Sequence, residues 1–173
     1  LHYPLRRQRQ MCIRDRSGIS PNHIRKVARQ AKEEYPDLGM IIVDYLQLMQ
    51  SSRQQNSREQ EIADISRSMK AIAKEFNVPV IALSQLNRDL ERRADKRPMM
   101  SDLRESGALE QDADLILFIY RDEIYNSESE DKNIAEINLA KHRNGEIGGC
   151  RLAFIGQYTK FANLALGNDP TMP

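Results

Sequence analysis

The sequence predicts an α/β fold in which a mostly parallel sheet is flanked by helices and ends in an antiparallel hairpin. Three observations predict it. Short, continuous apolar runs at 40–44, 78–84 and 114–120 are typical of buried strands between helix layers. A strongly periodic segment, 58–76, separates the first two runs and makes a strand–helix–strand unit. Asn144-Gly145 lies between two alternating segments and is typical of a tight hairpin turn.

The helices are indicated by capping residues and by apolar stripes. Ser20 followed by Pro21 predicts the start of a helix, which Pro36 and Gly39 end. The second helix, 58–76, has an apolar face with members three and four residues apart: Ile62, Ile65, Met69, Ile72, Ala73 and Phe76. After the hairpin, the segment YTKFANL predicts a final strand.

Composition indicates a soluble globular protein and leaves its partners open. The 173 residues allow one domain with a real core, and the formal net charge of +1 excludes neither nucleic acid nor any other partner. No apolar run approaches the roughly 18 residues that span a bilayer. The basic N-terminus has no apolar segment of the secretory type. Cys12 and Cys150 are far apart and predict neither a metal site nor a disulfide, so we expect a cytoplasmic protein.

The chain divides into three parts that differ in composition and apolar periodicity. Residues 1–16 contain five arginines and little apolar periodicity, and could be a basic nucleic-acid-binding arm or a non-native segment. Residues 17–166 carry the predicted helices and strands, and 167–173 form a tail.

Two polar residues follow the first two predicted strands. Asp44 ends the first apolar run in GMIIVDYLQLM, and Gln85 follows the second in VIALSQLNR. Ligands of open α/β sheets bind outside the carboxyl ends of parallel strands, where a carboxylate can orient Mg²⁺ through its waters and an amide can bind a phosphate or the attacking water. The simpler interpretations stay open: Asp44 as an N-cap or turn residue, and Gln85 as a surface polar residue.

The stretch MSDLRESGALEQDADL (100–115) interrupts a short helix with polar residues, including Arg104 and Glu105. Gly107 would let a backbone amide approach a phosphate closely. The preceding residues, 86–99, mix cations with acidic residues, which is typical of a solvated face with ion pairs rather than a basic patch.

Lys141 and Arg143 lie two residues apart on a predicted strand that leads into the hairpin. The period of two in a strand puts both cations on the same face. A phosphate chain would explain this pairing, and two exposed strand residues are the alternative.

These stretches together resemble the C-terminal ATPase domain of the replicative DNA helicases, the DnaB family. The strings that carry the resemblance are IIVDYLQLM, EIADISRSMKAIAKEFNVPVIALSQLNR, DKRPMMSDLRESGALEQDADLILFIYRDE and AEINLAKHRNGEIG. They follow in the family's order, from about residue 17 to residue 164. The resemblance implies a RecA-like P-loop NTPase core, present here in part, a ring of six subunits, and ATP-driven 5′-to-3′ movement along single-stranded DNA. It also implies a primase and a helicase loader as partners.

The resemblance assigns roles by position. Asp44 matches the Walker B aspartate for Mg²⁺, and Gln85 matches the glutamine that links the γ-phosphate state to the DNA-contacting loops. Arg143 matches the arginine finger that reaches the ATP of the adjacent subunit, with Lys141 as its companion. The DNA-contacting loop of the family is matched by Arg104, Glu105 and Gly107.

The sequence departs from the family at the nucleotide site. None of its eight glycines begins the phosphate-binding pattern G-x-x-x-x-G-K-[ST]. The segment before Ser17 also differs from the family's pattern, and only Asp15 could correspond to its acidic residues. We therefore expect a piece of a helicase that does not hydrolyse ATP alone. The alternatives are a short RecA-like module that assembles with a full helicase, or a recombinase or clock-type relative of the same fold.

Overall fold

The strands form two separate sheets. The computed structural model describes residues 13–14, 18–51 and 55–164, with only the backbone described at 104–106. β1 and β2 form a parallel pair, and β3, β4, β5 and β6 form an antiparallel sheet in that order. The helices and strands are α1 (Pro21–Glu34), β1 (Ile41–Val43), α2 (Arg58–Phe76), β2 (Val80–Ala82), α3 (Gly107–Asp112), β3 (Leu115–Tyr120), β4 (Ile134–His142), β5 (Gly148–Ile155) and β6 (Lys160–Asn163).

The two long helices begin and end at local signals. Ser20 Oγ accepts a hydrogen bond from the His23 amide (3.3 Å), and Pro21 occupies the first turn of α1. Ser57 caps α2 in the same way, and Asn77 ends α2 in the left-handed conformation at φ 52°. The predicted range 58–76 is therefore confirmed, whereas α1 ends at Glu34, before Pro36.

The main core lies between α2 and the parallel pair. Its buried members are Leu46, Met49, Ile62, Ile65, Met69 and Ile72. Half-buried side chains pack around them from α1, α3, β1 and β2, including Ile24, Leu109, Val43 and Val80. The predicted apolar face of α2 is thus the centre of the core, and all three helices contribute to this one cluster.

The prediction of strands buried on both faces is wrong. Along β1, β2 and β3 exposure alternates, and the outward residues are apolar: Ile42, Ile81, Leu83, Leu115, Leu117 and Ile119 are each between 44% and 58% exposed. Burial on both faces needs a helix layer on each side, and the three described helices pack into one cluster. The apolar runs do form strands, but only one face of each strand is covered.

The prediction of a mostly parallel sheet is also wrong for the described strands. Only β1 and β2 are parallel, because α2 carries the chain back between them. The connection from β3 to β4 contains only a short 3₁₀ turn (Asp122–Ile124), and β4 returns antiparallel. The predicted hairpin at Asn144-Gly145 does form, and a Cβ at Gly145 would lie 2.3 Å from the exposed His142 ring, which would have to move to admit it.

No helix among the described residues is long and apolar enough to cross a membrane. Cys150 is exposed and unpaired, and Cys12 lies outside the described residues. Most of the segment 1–16 and all of the tail 167–173 lie outside them as well.

Candidate nucleotide and DNA site

Asp44 and Gln85 lie at the same edge of the parallel pair. Val43 pairs with Ala82, and the Leu83 amide donates to the Val43 carbonyl oxygen (2.9 Å). Asp44 follows β1 immediately, and Gln85 follows β2 after two intervening residues. The structure therefore brings together the two polar residues that the sequence placed at the carboxyl ends of neighbouring strands.

The Asp44 carboxylate is available to a ligand. Asp44 is exposed, and its side chain forms no hydrogen bond or ion pair with any described side chain or backbone group. The described residues contain no cluster of three metal-ligating side chains. A single free carboxylate fits Mg²⁺, which keeps several waters and takes its remaining ligands from a nucleotide. The N-cap interpretation of Asp44 finds no support, because its side chain caps nothing in the described chain.

Gln47 holds the backbone next to Gln85, a contact that sequence analysis did not predict. Its Oε1 accepts from the Gln85 amide (3.2 Å), and its Nε2 donates to the Gln85 carbonyl oxygen (3.2 Å) and to Ser84 Oγ (3.0 Å). Gln47 stands in the quoted GMIIVDYLQLM string, but nothing in its local pattern distinguishes it from a surface glutamine.

The predicted DNA-contacting loop is a 3₁₀ helix (Met100–Ser106) that continues into α3. Asp102 anchors it: this buried carboxylate accepts two hydrogen bonds from the Arg93 guanidinium (2.9 and 3.2 Å) and one from the Met99 amide (2.9 Å). The Asp102 carbonyl oxygen accepts from the Asn87 amide (3.0 Å), which joins this loop to the segment that follows Gln85.

Gly107 begins α3 with ordinary helical angles, φ −52° and ψ −26°. A Cβ built on it would meet nothing within 4 Å. Neither the backbone conformation nor the packing of the described chain therefore requires glycine here. The side chains of Arg104 and Glu105 lie outside the described part of the structure, so only their position in the 3₁₀ helix is known.

The charged stretch before this loop contains ion pairs, as its mixed composition predicted. Arg93 pairs with Asp102, and Arg97 makes two 2.8 Å hydrogen bonds to the carboxylate of Glu136 on β4. Arg97 also lies over the Tyr120 ring, 4.9 Å from its centroid. Among the described residues these arginines therefore serve the fold rather than a basic patch.

Lys141 and Arg143 both reach the carboxyl end of α3. Lys141 Nζ donates to the carbonyl oxygens of Glu110 and Gln111, and Arg143 Nη2 donates to the Gln111 carbonyl oxygen (2.9 Å). Cations are favoured at this end of a helix because its last carbonyl groups have no partner within the helix. The shared partner brings the two cations together, but the predicted strand spacing does not apply, because β4 ends at His142 and Arg143 lies in the turn that follows.

Asp114 lies between three cations and was not singled out from sequence. Its carboxylate accepts from Arg143 Nε (2.9 Å) and pairs with Lys70 of α2. The hydrogen bond from Lys70 is the largest cause that holds the pKa of Asp114 below its usual value, with Arg143 and Lys141 adding to it. Asp114 is 54% exposed, so solvent weakens these interactions.

Comparison with known proteins places the chain in a family. A sequence model described as DnaB-like helicase C terminal domain matches residues 5–163. The chain belongs to the DnaB-like helicase family. The match begins inside the segment 1–16, and the boundary at residue 17 stays a prediction.

The DnaB-like relatives are replicative helicases. The chain is 61% identical over 157 residues to the replicative DNA helicase DnaB of Pasteurella multocida, covering 91% of this chain and 34% of the relative. It is 58% identical over 153 residues to the replicative DNA helicase DnaB of Geobacillus stearothermophilus, covering 88% and 34%. The chain thus spans about a third of the length of these relatives.

Two solved structures share the fold. One is described as an ATPase domain, and it superposes with a TM-score of 0.84 at 52% identity, covering 87% of this chain and 54% of that one. The other is described as a DnaB-like replicative helicase and its interactions with primase. It superposes with a TM-score of 0.85, also at 52% identity, covering 88% and 37%.

Proposed function

We propose that this chain is part of a replicative DNA helicase that couples ATP hydrolysis to 5′-to-3′ movement on single-stranded DNA and to duplex unwinding at the fork. The observation that carries the proposal is the free Asp44 carboxylate beside the Gln85 segment, at the carboxyl edge of a parallel strand pair, in a DnaB-like chain. The fold would be part of a RecA-like core. The exposed apolar faces of β1, β2 and β3 support this, because the remainder of such a core would cover them.

The proposal assigns three roles to the site residues. Asp44 orients Mg²⁺–ATP through water, and Gln85 hydrogen-bonds the γ-phosphate or the attacking water. Arg143 and Lys141 stabilise negative charge on the ATP of an adjacent subunit in a homohexameric ring. The loop at 104–107 holds the DNA backbone through Arg104, Glu105 and Gly107. The protein partners of the helicase would be a primase and a helicase loader, and its location would be the cytoplasm.

Arg143 and Lys141 would have to leave the α3 carbonyl groups to reach a neighbour's phosphates. Each bond they make in the single chain is to a neutral carbonyl oxygen or to the exposed Asp114 carboxylate. A phosphate chain carries more charge than either partner and accepts bidentate hydrogen bonds from a guanidinium. Exchange of these partners therefore costs little.

The 173-residue chain alone should not hydrolyse ATP. Without a P-loop in this sequence nothing cradles the β- and γ-phosphates, and a single exposed carboxylate does not hold Mg²⁺–ATP. The test is a chimera in which residues 17–164 replace the matching segment of the Geobacillus stearothermophilus relative. We expect DNA-stimulated ATP hydrolysis and unwinding from the chimera and background hydrolysis from the isolated chain. Hydrolysis by the isolated chain well above background, or an assembled but inactive chimera, would contradict the proposal.

Arg143→Ala in the chimera tests the role in trans. We expect retained ATP binding and a loss of hydrolysis of about 10³-fold or more in the assembled ring, as for other arginine fingers. A ring mixed from Arg143→Ala and Asp44→Ala subunits should regain some hydrolysis, because some interfaces combine an intact Asp44 with an intact Arg143. Hydrolysis that is unchanged in the variant would exclude a finger role.

A further inference from the structure

The ladder between β1 and β2 continues beyond their assigned ends. The Leu83 amide donates to the Val43 carbonyl oxygen (2.9 Å), and the Leu46 amide donates to the Leu83 carbonyl oxygen (2.9 Å). The main chain after β1 then turns into a 3₁₀ helix (Leu46–Leu48) and can pair no further with the segment that carries Gln85. Without another partner, the Gln85 backbone would be unsupported at the edge of the sheet.

The Gln47 side chain takes over as that partner. A primary amide offers one carbonyl acceptor and two N–H donors, so it can reproduce the hydrogen bonds of a strand residue. Gln47 does so at Gln85, accepting from its amide and donating to its carbonyl oxygen, both at 3.2 Å. Its second N–H donates to Ser84 Oγ at 3.0 Å, so the carbonyl oxygen and both N–H groups of the Gln47 amide have partners.

We propose that Gln47 is a positioning residue for Gln85, which fixes the direction in which the Gln85 side chain leaves the sheet edge. This inference rests on the proposed function, because it matters only if Gln85 acts on a phosphate or the attacking water. Two hydrogen bonds to one residue's amide and carbonyl group fix the orientation of its backbone, and hence the starting point of its side chain.

Gln47 is itself held by the amino end of α2. Arg58 Nη2 donates to the Gln47 carbonyl oxygen (2.6 Å), and Arg58 Nη1 donates to the Met49 carbonyl oxygen (3.4 Å). These bonds fix the main chain from which the Gln47 side chain extends. They also place Arg58 with Gln47 and Gln85 around a cleft of about 230 Å³ that Asp102 and Leu103 of the 3₁₀ helix line on its other side.

The same contacts connect Gln85 to the DNA-contacting loop. Two residues after Gln85, the Asn87 amide donates to the Asp102 carbonyl oxygen (3.0 Å). The segment that Gln47 fixes at Gln85 is therefore joined to this loop by a backbone hydrogen bond. If the Gln47 bonds are lost, Gln85 still lies near the nucleotide but its side chain is no longer held in one orientation. The rate of hydrolysis and its stimulation by DNA should therefore fall more than the affinity for ATP.

The test compares Gln47→Leu with the unsubstituted chimera described above. Leucine keeps the approximate volume and removes all three hydrogen bonds. We expect kcat for DNA-stimulated hydrolysis to fall about tenfold while KM for ATP stays within about twofold, because an interaction used in the transition state is lost. Gln47→Glu retains the acceptor but places a carboxylate against the Gln85 carbonyl oxygen, so it should lose at least as much activity.

Two further variants serve as graded and matched controls. Ser84→Ala removes one of the three Gln47 bonds and the long contact from Ser84 Oγ to the Gln85 carbonyl oxygen (3.5 Å), but leaves both bonds between Gln47 and Gln85, so we expect less than about a threefold loss in kcat. Gln50→Leu makes the same chemical change three residues further along, at an exposed side chain that lies beside Gly18, and should behave as the unsubstituted chimera.

Hydrogen exchange in the 173-residue chain checks the contact without any catalysis. The Gln85 amide should exchange about tenfold faster in Gln47→Leu than in the unsubstituted chain, while amides of α2 keep their rates. Equal Gln85 exchange in the two chains overturns the inference, as does an active chimera in which Gln47→Leu leaves kcat unchanged or raises KM as much as it lowers kcat. An inactive unsubstituted chimera would overturn the proposed function instead, and the exchange experiment would still decide whether Gln47 positions Gln85.

Discussion

Single residues in this structure differ in whether the fold explains them. Asp102 and Arg97 are occupied by ion pairs and hydrogen bonds within the described chain. The fold does not explain Gly107 or Asp44 in this way. Gly107 has helical angles and open space around it, and the Asp44 carboxylate has no described partner. A residue type that the fold does not need is the best candidate for a contact made with something outside the chain.

Gly107→Ala tests whether this glycine serves the fold or a contact with DNA. Alanine favours the helical conformation that Gly107 already adopts, so the free energy of unfolding should stay the same or rise by up to about 1 kcal/mol. Affinity for single-stranded DNA should fall in the chimera, because a methyl group would stand where the DNA backbone approaches. Thermal denaturation and fluorescence anisotropy with labelled oligonucleotides measure the two quantities.

Arg104→Ala is the companion to this prediction. It should weaken binding equally across DNA sequences and reduce the salt dependence of binding, because phosphate contacts carry no base information. Gly107→Ala should leave the salt dependence unchanged, since it removes no charge. A loss of binding that depended strongly on base sequence would contradict the assignment of this loop to the DNA backbone.

Among the elements, α3 joins the two halves of the proposed site. Its first residue, Gly107, belongs to the proposed DNA-contacting loop, and its last carbonyl groups bind Lys141 and Arg143. The helix is only six residues long, so packing and capping stabilise it rather than intrinsic propensity. Lys70 of α2 and Asp114, which lies just before β3, complete this cap on the carboxyl end of α3.

The cap should respond to acid. Because its pairing with Lys70 lowers the pKa of Asp114 in the folded chain, the stabilisation is present above the ordinary value of 3.8 and is lost as the pH falls through the lowered value. Asp114→Asn should therefore lower the midpoint of thermal unfolding at pH 7, with a difference that shrinks below about pH 4. Asp37→Asn, at an exposed carboxylate without a described ion pair, is the control. A difference that stayed constant down to about pH 2 would show that the cap does not depend on this charge.

For the molecule as a whole, the outstanding feature is that the helices of the described residues cover only one side of its apolar strands. Isolated exposed apolar residues are ordinary on protein surfaces, but Ile42, Ile81 and Leu83 are adjacent outward positions on one small sheet. The longer relatives, of which this chain spans about a third, have further chain that could cover such a face.

We expect the isolated 173-residue chain to self-associate at concentrations of about 10 µM and above, because association removes the exposed apolar face from water. Sedimentation velocity over a concentration series measures this. Ile42→Thr with Ile81→Thr should reduce association with little loss of stability, since both side chains point away from the core. Leu117→Thr, on the other sheet, tests which of the two exposed apolar faces contributes more to self-association. A chain that remained monomeric throughout the series would contradict the expectation.

Local signals in the sequence determined much of the fold. The bounds of α2 and the start of α1 follow from capping and apolar periodicity, and the hairpin follows from the alternating segments on either side of Asn144-Gly145; these signals act within a few residues. The family also follows from sequence, because the matching strings are long and unusual. The placement of Asp44 and Gln85 at one edge needed only the rule that parallel strands end together.

Only the tertiary structure decided which strand faces are covered and which contacts hold the site. An apolar run does not reveal whether a second helix layer is present, so the sequence predicted strands buried on both faces and a mostly parallel sheet. The bonds between Gln47 and Gln85 join residues 38 apart, and the bond between Arg143 and Gln111 joins residues 32 apart. Such contacts depend on register and on side chains that meet across elements, and the local pattern of either residue carries no record of them.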